Sequence, residues 1–184
     1  MSCSRYEMRF SGAGGQGLIL AGIIMGEAAA IFDGKQAVQS QSYGPEAPGG
    51  ASKSEVVISD QPIDFPKATN VDALLALTQE ACDKYSLDLK EGGILLVDSD
   101  LVKRLPKGNY TVVSIPIVSI AKNEVGRTIV ANIVALGAMV ALTGVVSKES
   151  AQKAVLARVP EAFVDLNRKA FAAGYNKALE AMGS

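Results

Sequence analysis

Residues Gly12 to Gly17 read Gly-Ala-Gly-Gly-Gln-Gly, between an alternating apolar run at 5–11 and a helix-like segment rich in small residues at 16–32. Glycine lets the backbone turn sharply and approach a ligand or another chain segment without a Cβ clash. The N–H groups at the start of the following helix favour an anion in front of them. The stretch therefore predicts a strand, a glycine turn and a helix, the opening unit of a Rossmann-like fold.

The glycine turn supplies the first candidate binding residues: Gly12, Gly14, Gly15, Gln16 and Gly17. A dinucleotide site would also place an acidic residue at the end of the second strand, where it bonds the ribose. That strand ends Val-Gln-Ser-Gln at 38–41, and Asp33 comes too early in the chain. Three interpretations stay open: a dinucleotide site, a site for another anion or a partner, and a tight turn with a structural role. Gln16 would either contact a ligand or cap the helix.

Strand-like and helix-like runs alternate along the chain, which is typical of an α/β fold. The predicted strands lie at 5–11, 35–41, 54–59, 94–97 and 112–115. The predicted helices lie at 16–32, 71–79 with Asn70 as N-cap, 119–125, 127–143, 148–158 and 161–182. We expect one domain over 1–184, with a Rossmann-like, mostly parallel sheet flanked by helices and a helical C-terminal region. No helix joins the second and third strands, which allows a mixed edge.

The composition excludes several functional classes. The chain has 184 residues, 48% of them hydrophobic, a net charge of −1, two cysteines and no histidine. This charge offers no attraction to nucleic acid, and the absence of histidine excludes histidine-activated nucleophiles and histidine metal sites. Cys3 and Cys82 are too few for an iron–sulfur cluster or a disulfide framework, which fits a reducing, cytoplasmic setting. No catalytic residue is expected on this chain.

One uncharged segment, 128–146, approaches the length of a membrane-spanning helix. It contains Asn132 and many alanine and glycine residues, and charged residues flank it closely. A helix that is apolar on nearly all faces is typical of the centre of a large or oligomeric protein. We therefore expect a buried helix and no membrane span, with Asn132 as a buried amide that bonds a neighbouring strand or loop. The N-terminus does not read as a signal peptide.

A second unusual stretch, at 42–52, reads Ser-Tyr-Gly-Pro-Glu-Ala-Pro-Gly-Gly-Ala-Ser. Its two prolines and three glycines predict a shaped loop without helix or strand. The chain resembles the gamma subunit of the 2-oxoacid:ferredoxin oxidoreductases in four places. These are this loop, the glycine turn, the segment Ser-Lys-Ser-Glu-Val-Val-Ile-Ser at 52–59, and the helix around Ala131-Asn132 and 136–138. The resemblance covers most of the chain, and the Ser-Tyr-Gly-Pro-Glu loop is its most specific part.

The resemblance implies a reaction that is divided among several chains. Such an enzyme decarboxylates a 2-oxoacid on thiamine diphosphate, passes electrons through iron–sulfur clusters to ferredoxin, and transfers the acyl group to coenzyme A. Thiamine diphosphate and Mg belong to the alpha and beta subunits, and 4Fe–4S clusters to a ferredoxin-like delta subunit or extension. The gamma chain binds none of these alone, packs on its partners and takes part in binding or gating coenzyme A. The loop favours 2-oxoglutarate, with branched 2-oxoacids and pyruvate as alternatives, and the isolated chain is expected to be inactive.

The second loop and its flank add further candidate binding residues: Ser42, Tyr43, Gly44, Glu46 and Lys53. By resemblance, the two loops form one surface that faces partner subunits and the phosphate end of coenzyme A. Pro48 stands where the family loop usually has an arginine, the natural fork for a phosphate, so Lys53 is the nearest cation left. Two other functions stay open. The glycine spacing favours a stand-alone dinucleotide-binding reductase, and the apolar composition favours a non-catalytic interaction module.

Overall fold

A computed structural model describes residues 4–43 and 50–183 of the chain. The strands are β1 (Tyr6–Ala13), β2 (Gln36–Tyr43), β3 (Ala51–Ser59), β4 (Val71–Ala76), β5 (Leu89–Asp98) and β6 (Thr111–Ile115). The helices are α1 (Leu18–Glu27), α2 (Gln79–Tyr85), α3 (Ile117–Ser119), α4 (Ala131–Thr143), α5 (Lys148–Arg158) and α6 (Val164–Met182). Short π-helical turns continue α1 over Ala28–Phe32 and α3 over Ile120–Val125, and 3-10 turns lie at Ser86–Asp88, Thr128–Val130 and Glu161–Phe163.

The six described strands form one mixed sheet in the order β2-β3-β1-β4-β5-β6. Strands β1, β4, β5 and β6 pair in parallel, whereas β3 is antiparallel to both of its neighbours, β1 and β2. Among the described strands, β3 therefore runs against the direction of the other five. The expected α/β fold with a mostly parallel sheet, a mixed edge and a helical C-terminal region is confirmed.

Helices cover both faces of the sheet and divide the core into two layers. Met8 and Phe10 of β1 point into the larger layer, which holds the buried residues of α1, α4, α5 and α6. Leu74 of β4 and Leu95 of β5 point into the smaller layer with Cys82 of α2. Because side chains alternate along a strand, the two buried charged residues of β1, Glu7 and Arg9, lie on the face of the smaller layer.

Helix α4 is buried on every side over Ala131–Val140, so the expectation of a buried helix in this segment is confirmed. It packs on α6 at two glycines. A Cβ on Gly137 would lie 2.2 Å from the Phe171 carbonyl oxygen, and a Cβ on Gly174 would lie 1.8 Å from the Val134 carbonyl oxygen. The two backbones thus approach each other more closely than any side chain permits. In the described part of the chain, no helix is both long and apolar enough to cross a bilayer.

The helix predicted at 71–79 is wrong. Residues Val71–Ala76 form β4, a strand in the middle of the sheet between β1 and β5, and α2 begins at Gln79 with Thr78 as its N-cap in place of Asn70. Alanine and leucine favour a helix locally, but parallel pairing on both sides and burial on both faces override that preference. The uninterrupted apolar run from Ala73 to Leu77 is the signal for such a strand.

Several strand boundaries also differ from the prediction. The predicted strand at 94–97 is part of the longer β5, which begins at Leu89 and includes Gly92 and Gly93 where the register with β4 shifts. The ends of the predicted loop at 42–52 are extended strand: β2 continues to Tyr43 and β3 starts at Ala51. Glycine at a bulge and proline beyond a strand end are compatible with pairing up to that point.

Candidate functional site

The glycine turn leaves β1 at Ala13 and enters α1 at Leu18. Gly15 and Gly17 adopt positive φ angles of 85° and 76°, the left-handed region that favours glycine. The Gln16 side chain folds back, and its Oε1 accepts a hydrogen bond from the Ala13 N–H at 2.7 Å. Gln16 therefore closes the turn and does not cap the helix.

The amino end of α1 has no side-chain cap. Its N-cap is Gly17, and no acidic residue lies in its first turn. The first N–H groups of a helix have no partner within the helix, and they carry the positive end of its dipole. Gly14 and Gly15 are exposed beside this end, whereas Gly12 is buried in β1. The turn thus offers backbone N–H groups and close approach, with no charged side chain of its own.

A groove of about 720 Å³ opens beside the glycine turn at the carboxyl ends of the parallel strands. Gly15, Gln16 and Gly17 form one of its walls, and the segment 127–130 with the start of α4 forms another. Most of the remaining lining is apolar and comes from α1, from the strand ends and from the junction of α5 with α6: Leu20, Ile24, Leu77, Leu101, Val118, Val159, Pro160, Phe163 and Leu166. Ligands of open α/β sheets bind at this edge, where the strand order changes direction.

Among the described residues that line the groove, Arg127 is the charged one. It is exposed, and its side chain makes no hydrogen bond or ion pair with the rest of the described chain. Large apolar side chains stand around it. Ile129 is 82% exposed and Phe163 is 46% exposed. An apolar groove that combines the free guanidinium of Arg127 with an uncapped helix end suits an elongated ligand with an apolar part and an anionic part.

Asn132 connects the C-terminal helical layer to the turn. Its Nδ2 donates to the Gly17 carbonyl oxygen at 3.2 Å. The expectation of a buried amide that bonds a neighbouring loop is confirmed.

The two predicted loops leave the same edge of the sheet. Gly12 lies opposite Ser52 and Ala13 opposite Ala51 in the register of β1 and β3, and Tyr43 also pairs with Ser52. Ser42 is exposed at the end of β2. The rest of the second loop, including Gly44, Glu46 and Pro48, lies outside the described residues, as does the side chain of Tyr43.

Lys53 is not part of the groove. Its Nζ contacts the Glu55 carboxylate at 2.6 Å and lies 5.8 Å from the centre of the Tyr85 ring, on the smaller layer. In the described part of the chain, the cation that lines the groove is Arg127, which the sequence does not predict because no local pattern places residue 127 beside the glycine turn.

Behind the turn, a buried carboxylate orders two of the groove walls. Asp98 is fully buried at the end of β5, and its Oδ1 accepts from the N–H groups of Asp100 and Leu101 at 2.8 and 3.2 Å. Its Oδ2 accepts from the Val118 N–H at 2.8 Å. Leu101 and Val118 both line the groove, so Asp98 holds the loop after β5 against the short helix α3.

The smaller layer contains an ion network around Arg9, whose side chain is 1% exposed. The guanidinium contacts the Glu55 carboxylate at 2.9 Å and the Asp88 carboxylate at 2.7 Å. Burial raises the pKa of Glu55, but the hydrogen bond from Lys53 and the charge of Arg9 together lower it by more. The pKa of Glu55 therefore lies below its ordinary value. All of these charges are paired with one another, which indicates a structural network.

The described residues offer no cluster of metal-ligating side chains. No group of three histidine, cysteine or carboxylate residues in this part of the chain could hold a metal ion. Burial, followed by the charge of Asp83, raises the pKa of the Cys82 thiol to about 11. A thiol with this pKa is protonated at neutral pH and is a poor nucleophile.

Comparisons with known proteins agree with the fold. Residues 7–177 match the family model described as pyruvate ferredoxin/flavodoxin oxidoreductase. The chain is 57% identical to 2-oxoglutarate synthase subunit KorC of Methanocaldococcus jannaschii, across 96% of this chain and 95% of that one. It is 34% identical to ketoisovalerate oxidoreductase subunit VorA of Methanothermobacter marburgensis, across 91% of this chain but 35% of the longer relative.

A solved structure also matches nearly the whole fold. It is the gamma subunit of a keto/oxoacid ferredoxin oxidoreductase from Geobacter sulfurreducens PCA, with 76% identity and a TM-score of 0.92. The match covers 97% of this chain and 98% of that one.

Proposed function

Because this chain belongs to the pyruvate ferredoxin/flavodoxin oxidoreductase family, we propose that it is the gamma subunit of a 2-oxoglutarate:ferredoxin oxidoreductase. The assembled enzyme would decarboxylate 2-oxoglutarate oxidatively, form the acyl-CoA and reduce ferredoxin. The observation that carries this proposal is the 57% identity to a 2-oxoglutarate synthase subunit, against 34% to a ketoisovalerate oxidoreductase subunit. Pyruvate and branched 2-oxoacids are the alternatives, since an oxoacid pocket on partner chains would decide among them.

We propose that the reaction centres lie on partner subunits. Thiamine diphosphate with Mg would be bound by alpha and beta subunits, and the iron–sulfur clusters by a ferredoxin-like delta subunit or extension. The sequence has no histidine and two cysteines, which is too few ligands for a 4Fe–4S cluster. The exposed apolar residues around the groove, Ile129 and Phe163 among them, supply a surface for packing on these partners.

Native purification followed by an activity assay tests the subunit assignment. The chain should co-purify with thiamine-diphosphate-binding and cluster-binding chains. The complex should reduce ferredoxin with 2-oxoglutarate and coenzyme A, and with a higher kcat/KM than with pyruvate or 2-oxoisovalerate. The isolated chain should show no turnover. Turnover of a 2-oxoacid by the isolated chain would contradict the assignment, and a preference for another oxoacid would correct the substrate alone.

We further propose that the groove takes part of coenzyme A. The backbone N–H groups at Gly14, Gly15 and Gly17 would face a phosphate, with Arg127 as the neighbouring cation. The apolar walls would contact the pantetheine arm. A groove of about 720 Å³ lies in the usual size range of small-molecule sites. Gln16 would hold the turn, since its amide oxygen already bonds the Ala13 N–H.

Replacing Arg127 by alanine should raise the KM of the complex for coenzyme A about tenfold, because a charge-assisted contact to a phosphate is lost. The KM should also depend less on salt concentration than in the wild type. Steady-state kinetics at several ionic strengths measure both effects. Lys122→Ala is the matched control, since Lys122 is an exposed cation nearby in the chain that does not line the groove. Equal KM values for coenzyme A in the two variants would show that Arg127 does not contribute to coenzyme A binding.

The sheet topology gives little support to a stand-alone dinucleotide-binding reductase. In that class, the strand beside β1 ends with an acidic residue that bonds the ribose. Here the neighbour is β3, which runs antiparallel and begins Ala51-Ser52-Lys53 at this edge. Its acidic residue, Glu55, is bonded to Arg9 and Lys53 in the smaller layer.

A further inference from the structure

One buried amide joins two walls of the groove. Asn132 is 6% exposed and stands at the second position of α4. Its Nδ2 donates to the Gly17 carbonyl oxygen at 3.2 Å, and its Oδ1 accepts from the Ile133 N–H at 3.0 Å. The side chain is therefore bonded to the glycine turn at one end and to the start of its own helix at the other.

Asn132 is also in steric contact with the turn. A Cβ built on Gly17 would lie 2.6 Å from Asn132 Nδ2 and 2.9 Å from its Cγ. The amide thus occupies the space in front of a residue whose φ of 76° already favours glycine. Because 115 positions separate Asn132 from Gly17, this contact forms only when the C-terminal helices dock on the sheet.

The segment at 127–130, which carries Arg127, continues through Ala131 into Asn132 and forms a second wall of the groove. The Asn132 side chain is therefore hydrogen-bonded to the glycine turn, and its backbone continues the segment at 127–130. We infer that Asn132 is a positioning residue that fixes the spacing of these two walls. Given the coenzyme A site proposed above, on which this functional consequence rests, Asn132 sets the affinity of the groove for coenzyme A without contributing to the chemical step.

The test uses Asn132→Ala and Asn132→Asp. Alanine removes the amide and is favourable in a helix. Aspartate keeps the acceptor for the Ile133 N–H but places a carboxylate oxygen against the Gly17 carbonyl oxygen. Thr143→Ala is the matched control, because Thr143 ends the same helix and its Oγ1 donates to the Met139 carbonyl oxygen at 2.8 Å, away from the groove lining.

Two measurements are made on each variant. Hydrogen exchange of the full chain, followed in peptides that cover 13–21, reports on the turn through the bonded N–H groups of Ala13 and Ala21. Steady-state kinetics of the assembled complex give KM for coenzyme A and kcat. In both Asn132 variants, these amides should exchange about tenfold faster than in the wild type. The KM for coenzyme A should rise about tenfold while kcat stays unchanged. Thr143→Ala should change neither the exchange rate nor the KM. If Asn132→Asp does not fold, Asn132→Ala alone is decisive.

The outcomes separate this inference from the proposed function. Unchanged exchange at 13–21 would overturn the positioning role of Asn132, whatever the value of KM. Faster exchange with a raised KM supports both the positioning role and the coenzyme A site. Faster exchange with an unchanged KM supports the role of Asn132 in positioning the glycine turn. It overturns the effect of Asn132 on coenzyme A affinity, so the ligand proposed for the groove would be wrong.

Discussion

Alanine in place of Gly174 should lower the melting temperature of the chain by roughly 6–12 °C, which corresponds to a loss of about 3 kcal/mol in the free energy of unfolding. The added Cβ would lie 1.8 Å from the Val134 carbonyl oxygen, and this neighbour is backbone that no rotamer change can move. Helix α6 must then separate from α4, and the layer that carries Asn132 must shift with it. Thermal unfolding followed by circular dichroism measures the effect.

A second buried helical glycine provides the control. A Cβ on Gly26 of α1 would have its nearest neighbours, Gln39 Cβ and Val56 Cγ1, at 3.9 Å, which is ordinary van der Waals contact. Gly26→Ala should therefore stabilise the chain by about 0.5–1 kcal/mol, because alanine is the better helix former. Equal effects of the two substitutions would mean that α4 and α6 do not pack at the backbone distance described.

The parts of the fold that the sequence predicts well are those set by local chemistry. The glycine turn follows from its spacing between a strand-like and a helix-like run. Helix α5 is found at 148–158, the predicted range, where Ser147 caps its start and Pro160 follows its end. The amide of Asn132 was expected to bond a loop because a polar group inside an apolar helix must find a partner.

The parts that the sequence does not predict depend on contacts between distant segments. The sequence of β4 favours a helix locally, and pairing with strands on both sides in the sheet makes it a strand. Arg127 reaches the groove only because the chain returns to the glycine turn after six strands, and the Lys53 ammonium lies against the Glu55 carboxylate in the smaller layer. Local patterns identify residue types suited to a site, whereas topology decides which of them share it.

Glutamine in place of Glu55 should cost about 3–5 kcal/mol of unfolding free energy at neutral pH, because it leaves the buried Arg9 guanidinium without its buried counter-charge. Asp88 remains beside Arg9, but its side chain is 51% exposed. Urea unfolding at pH 7 measures the loss. Glu27→Gln is the matched control: Glu27 pairs with Arg158 at the surface and should cost less than about 1 kcal/mol.

Two further measurements separate a lost charge pair from a general packing defect. The folded pKa of Glu55 is lowered, so its contribution to stability is present above the unfolded pKa and is lost as pH falls through the folded one. The difference between wild type and Glu55→Gln should therefore narrow below about pH 4. The double variant Arg9→Met with Glu55→Leu should recover most of the lost stability at neutral pH, since no buried charge is then left unpaired. Two results would show that Arg9 and Glu55 stabilise the sheet by packing and not through their charges. One is a difference in unfolding free energy between wild type and Glu55→Gln that stays constant with pH, and the other is a double variant that is less stable than Glu55→Gln.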